Sequence, residues 1–209
     1  MSILVLTSNT LSTPAAAGQI EYESPIFAAT PIGTQRGIIP TQQYYRLNAD
    51  LAGANVTTAQ SVFGVGVTLS ASTVYAFEIA FGLAKSAGTT SHTLAFGFGG
   101  TVGITNIYYD ICSSNMSGSA STIVVNSATT RGYVAVSTPT TVTNATVSAL
   151  NTASMIIKGT LSISTGGTLI PQYTLSAAPG GAYSTAAGSY MSIYPLGASG
   201  AAINEGTWA

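Results

Sequence analysis

The sequence predicts an all-β protein, an antiparallel β-sandwich of jelly-roll type with a short extended N-terminal arm and at most one short helix. Three observations lead there. Large apolar side chains alternate with small or polar ones at period two along several segments. Turn-forming clusters separate those segments at a spacing of roughly 8–15 residues. Heptads and solenoid-length repeats are missing from the sequence. A chain of 209 residues buries roughly 70% of its unfolded surface, so a core of its own needs neither metal nor disulfide.

Taken in order, residues 1–42 form an arm and collar and residues 43–209 a single sandwich domain. Pro14, Pro25, Pro31 and Pro40 interrupt every apolar run of the first part, and each proline favours extended structure before it. Leu4, Leu6 and Leu11 supply apolar side chains without a helical register, and no turn ties them to their own domain. They are expected to add to the edge of a neighbouring subunit or of another protein of the same assembly, with Glu21, Tyr22, Arg36 and Arg46 completing the anchoring set. Thr57-x-x-Gln60 has the form of a capping box, followed by Val62, Phe63 and a Gly64 suited to end a helix. A helix of one or two turns is expected there.

Beyond it the period is two. Tyr75, Phe77, Ile79 and Phe81 share one face and Val74, Ala76, Glu78 and Ala80 the other; Leu94, Phe96 and Phe98 repeat the arrangement, with His92 in the same register. Further strands are expected at 43–48, 106–112, 122–125, 133–136, 140–147, 155–164, 168–175 and 190–194. Gly166-Gly167 offers the positive φ angles of a two-residue turn, which predicts a hairpin between the strands either side of it. Pro171 places its strand at an edge or bulge. The small-residue stretches 113–121 and 177–188 read as loops.

Composition narrows function mostly by exclusion. Charged residues number 11, five basic and six acidic, or 5% of the chain, where about a quarter is usual; Ser and Thr supply 55. A net charge of −1 leaves little repulsion between copies and no basic footprint for nucleic acid. The chain is expected to pack against copies of itself. The start at Met1–Leu6 lacks the basic residues and apolar length of a signal peptide, and no run approaches the ~20 apolar residues of a membrane helix; no membrane partner is expected.

Candidate chemistry is sparse. His92 is the sole histidine, no Gly-x-Ser-x-Gly elbow accompanies it, and a hydrogen-bonded or exposed strand-end histidine is expected. Cys112, the sole cysteine, excludes an internal disulfide and reads as a small buried hydrophobe. One His and one Cys cannot build a usual zinc site; calcium through Asp50, Asp110 and loop carbonyls is the remaining metal chemistry, without an Asp-rich loop to support it. Glu21 and Glu23 point the same way on a strand, about 6–7 Å apart, and glycoside hydrolysis needs a carboxylate pair. With Tyr22 between them they read instead as an exposed arm face or as partners for arginines on neighbouring chains. The glycines at 97, 99, 100 and 103 miss the dinucleotide spacing. No cofactor is expected. Tyrosine, with 11 copies, is the residue type best suited to contacts with protein or carbohydrate.

Gly18-Gln19-Ile20-Glu21-Tyr22-Glu23, Phe27, Thr30-Pro31 and the run Arg36 to Leu47, with Leu6 to Gly18 before them, resemble a family of tailed-bacteriophage virion proteins. The similarity continues through Phe63–Leu69 and Tyr173–Ser176, and departs from the family's Asp-Gly turn at Glu23-Ser24. What the resemblance implies is a virion location, a trimeric β domain on an external part of the particle, and no enzymatic activity. Only about 17 residues precede the motif here, which points to a capsid decoration or cement protein ahead of a tail-fibre or receptor-binding tip; a glycan hydrolase is the third reading. The implied partners are the chain itself as a homotrimer, capsid or tail components, and a host-surface glycan or protein.

Overall fold

In a computed structural model, which describes residues 5–117, 128–200 and 202, sixteen strands build three antiparallel sheets. They are β1 (Gln19–Glu23), β2 (Ile26–Ile32), β3 (Gln35–Ile39), β4 (Gln43–Arg46), β5 (Leu51–Ala52), β6 (Gln60–Ser61), β7 (Val67–Leu69) and β8 (Thr73–Lys85). After them come β9 (Leu94–Gly100), β10 (Gly103–Ser117), β11 (Ala128–Val134), β12 (Thr140–Thr141), β13 (Asn151–Thr165), β14 (Gly167–Leu175), β15 (Ser184–Thr185) and β16 (Tyr190–Ala198). The collar is the sheet β1-β2-β3. The larger body sheet runs β11-β10-β13-β8, and beyond β8 it continues as β16-β4 along one stretch and β15-β5 along another. The smaller body sheet is β12-β9-β14, flanked by β6 and β7.

The two body sheets face each other, which makes the body a β-sandwich. Alternation along β8 puts Tyr75, Phe77, Ile79, Phe81 and Leu83 inside, and the neighbours add Tyr109, Met155, Ile157 and Met191. Leu94, Phe96, Phe98, Leu169 and Tyr173 close the core from the smaller sheet. Rings cross the gap edge to face, with Phe77–Phe98 at 5.4 Å and Phe98–Tyr109 at 5.8 Å between centroids, a geometry favoured by the ring quadrupoles.

Four expectations are corrected. No helix forms at 57–63, and none occurs among the described residues: Gln60 pairs with Tyr173 of β14, and its side-chain oxygen accepts from the Ala54 amide at 2.6 Å and the Tyr173 hydroxyl at 3.2 Å. The would-be capping residue is spent on the sheet. Second, β13 and β14 form no hairpin. β13 pairs with β10 and β8, whereas β14 pairs with β9, β6 and β7, so the chain changes sheets at Gly166. Neither glycine has positive φ; a Cβ on Gly167 would stand 2.6 Å from the Thr101 hydroxyl, so lack of a side chain is what the crossing needs. Third, β10 extends through Ser117 into the expected loop 113–121, because backbone pairing with β11 and β13 on both sides outweighs weak strand propensity. Fourth, the expected strand 140–147 shrinks to β12 and one bridge from Thr146 to His92.

Pro171 lies inside the smaller sheet, opposite Phe98. Its carbonyl accepts from the Val62 amide at 2.9 Å, on the flank divided between β6 and β7, where a missing N–H costs no regular ladder bond. The expected strand 122–125 lies outside the described residues. Tyr109 is fully buried with its hydroxyl unpartnered among the described residues, and burial pushes its pKa up to about 12. Tyr109→Phe removes the orphan and keeps the ring. It should raise stability by about 1 kcal/mol, read as a higher urea midpoint with an unchanged slope.

Candidate functional site

In the collar the strand period separates two faces with different chemistry. One face carries Glu21, Ile26, Ala28, Thr30, Arg36 and Ile38, and of these Ile26, Ala28 and Thr30 are buried. Residues 8–12 lie along this sheet. The Asn9 amide donates to the Tyr22 carbonyl at 3.0 Å and the Ser24 amide to Ser8 Oγ at 2.9 Å. Glu21 accepts from the Ser12 amide at 2.7 Å and from the Ser12 hydroxyl. Arg36 pairs with Glu21 at 2.8 Å and donates to the Ser12 carbonyl at 2.6 Å. Residues 8–12 of the arm are therefore tied to the chain's own collar, and the arginine that meets Glu21 belongs to the same chain.

The opposite collar face carries Ile20, Tyr22, Phe27, Ala29, Gly37 and Ile39. Tyr22 stacks on Phe27 at 4.6 Å. Ile20 is 63% and Ile39 38% exposed, and no charged residue belongs to this set.

Of the anchoring residues expected from sequence, the structure brings Glu21 and Arg36 together through Ser12, beside a half-buried Leu11. Tyr22 sits on the other face. Leu6 is exposed, Arg46 reaches Asn48 at 3.0 Å away from the clamp, and Leu4 lies outside the described residues. Asp50 and Asp110 do not converge: the first accepts from the Ala187 amide, the second pairs with Arg131 across the sheet. Cys112 is half-buried on the outward face of β10, a departure from the core position expected of it.

His92 is buried with both ring nitrogens engaged. Nδ1 donates to the Thr90 carbonyl at 2.8 Å, which can only accept, so in the neutral ring Nε2 accepts from the Tyr183 hydroxyl at 2.8 Å, and that hydroxyl accepts in turn from Asn151 Nδ2 at 2.7 Å. Nearby, Lys85 is only 5% exposed. Its ammonium donates to the carbonyls of Gly88 at 2.8 Å, Ala87 at 3.2 Å, Ala149 at 3.4 Å and Ser148, above the Tyr183 ring at 6.0 Å. Burial lowers its pKa. It staples two loops to the end of β8. Sequence reasoning missed this residue; its inward register, two after Leu83, was the available signal.

A cleft of about 310 Å³ opens at the edge of the sandwich, lined by Tyr44, Tyr45, Phe63, Val67, Pro171 and Met191 among others. Tyr45 meets Phe63 edge-on at 6.0 Å. No carboxylate is among its described lining residues. Among known proteins, the chain matches no family model, no curated protein and no solved structure.

Hydrogen bonds from Ser12, then the Arg36 charge, hold the Glu21 carboxyl below its ordinary pKa. The resulting stabilisation is present above the unfolded glutamate pKa and is lost as pH falls through the lowered folded value. Exchange protection of the Ser12 amide should therefore persist into acid and collapse only below the ordinary glutamate range; Glu21→Gln should reduce it at neutral pH and flatten the acid transition. Lys85→Met strands four carbonyls and should cost about 2–3 kcal/mol in urea unfolding.

Proposed function

We propose that the chain is a structural, non-enzymatic subunit of a bacteriophage virion, of capsid decoration or cement type, attached through residues 1–42 with its sandwich facing outward. Within this reading the body is of jelly-roll type and copies group as homotrimers. The observation that carries it is the uncharged collar face of Ile20, the Tyr22–Phe27 stack and Ile39. An exposed apolar face of this kind suits burial against another protein, and the clamp on the reverse side holds the arm away from it. Sequence resemblance supplies the kind of partner, a capsid or tail component.

A second reading, a tail-fibre or receptor-binding tip, is favoured by the aromatic cleft at Tyr44, Tyr45 and Phe63, since flat rings with polar tips suit a host glycan or protein surface. Copy number separates the two: decoration implies hundreds of copies per particle and a fibre at most a few tens, as rough expectations from symmetric assembly. Ile20→Asp with Ile39→Asp should leave the β-rich circular dichroism spectrum unchanged and abolish loading onto particles, and deletion of residues 1–17 should reduce loading. Wild-type occupancy by the double variant would place the attachment surface elsewhere.

A further inference from the structure

The outward face of the larger sheet, over β11, β10, β13 and β8, is left uncovered by the described residues: Tyr133 is 70%, Tyr108 52% and Ile156 51% exposed. Charges cross it in one row. Asp110 on β10, Lys158 on β13 and Glu78 on β8 stand opposite one another in register. Arg131 on β11 lies two pairs along, opposite Cys112, and reaches back to Asp110 at 3.2 Å, and Lys158 meets Glu78 at 3.0 Å. Four of the chain's 11 charged residues thus read plus, minus, plus, minus across the strands. Around them stand the small side chains of Ala76, Ala80, Ser154 and Thr160.

Such a row is complementary to itself in one orientation. A second copy laid face to face is generated by a half-turn about an axis lying in the face. With that axis parallel to the strands and between β10 and β13, the strand order reverses and the two central charges meet their opposites. Asp110 lies over Lys158 of the second copy, and Arg131 over its Glu78 strand. Ile156 lies over Cys112 and Tyr108 over Thr160, so apolar atoms also meet. A half-turn about an axis across the strands would set each charge against itself. Three strand spacings span about 14 Å, so the ~30° crossing usual for aligned sheets moves the ends of the row by only a few ångströms, within reach of Arg and Lys side chains.

We propose that this face binds a second copy of the chain in a two-fold, strand-aligned contact. Four strands ~4.8 Å apart and about nine residues long offer on the order of 600 Å² per copy, short of the roughly 800 Å² of a standard interface. The contact is therefore reversible and depends on its charges for orientation. It uses no collar residue and is separate from any three-fold grouping or particle attachment.

The test is a charge exchange in the full-length protein. Wild type in sedimentation velocity should show a concentration-dependent step that doubles the mass of the associating unit. Asp110→Lys and Lys158→Glu each place like charges at the centre of the contact, and each should weaken that step about tenfold or more with an unchanged circular dichroism spectrum. In an equimolar mixture the two variants oppose a positive centre to a negative one, and the doubling should return. Ile156→Asp, at an exposed position, should give the same loss if either charge variant folds poorly. Association of the folded variants at wild-type strength, a mixture that fails to recover, or a wild type without the doubling step overturns the proposal. Loss of particle loading by the Ile20 and Ile39 variant tests attachment alone and leaves this contact untouched.

Discussion

The long strand β8 is where the body's constraints meet. Its thirteen residues pair with β13 along their whole length on one side and with β16 and β15 on the other, with Gly82 between those two met by Ser189 Oγ and the Ala186 amide, so its register is held from both flanks. Alternation then leaves no choice of faces. Tyr75 to Leu83 must meet the smaller sheet, and the ring contacts of Phe77, Phe96, Phe98 and Tyr109 set how the two sheets sit. A slip of one residue would turn five large side chains into solvent and bring Glu78 into the core.

With so few charges, each one's position carries information. Glu21 and Arg36 close the collar on its own arm. Lys85 is withdrawn from solvent and neutral carbonyls surround it, so it acts as a loop staple in place of an ion-pair partner. Glu78, Lys158, Asp110 and Arg131 share one face. Glu78 is further held ionised by the Tyr190 hydroxyl at 2.6 Å, the largest of the effects that lower its pKa, ahead of Lys158. What remains exposed elsewhere is mainly Thr, Ala, Gly and Ser, a surface that does little to keep copies apart at long range.

Part of the candidate site was legible in the sequence. Glu21, Tyr22 and Arg36 stood out because charged and aromatic residues are rare in a proline-broken segment, and strand parity already put Glu21 and Tyr22 on opposite faces. That Glu21 would find Arg36 of its own chain through Ser12 was not legible, since it depends on how β3 folds back over β2 and where residues 8–12 then lie. The same holds for the charge row. Glu78, Asp110, Arg131 and Lys158 are up to 80 positions apart in sequence, and only strand order makes them neighbours.

By itself the sequence determined the all-β class, the inward faces of β8 and β9, and the small-residue character of the outward faces, because side-chain alternation is a property of one strand and needs no partner. Strand pairing is not. Gly166-Gly167 looks locally like a hairpin turn, yet the chain there passes from one sheet to the other, and Thr57-x-x-Gln60 looks like a helix start, yet Gln60 is claimed by Tyr173 and Ala54. Local patterns specify which face of a strand is apolar; which strands adjoin depends on how the apolar faces of the whole chain are buried at once, and that the tertiary structure alone decided.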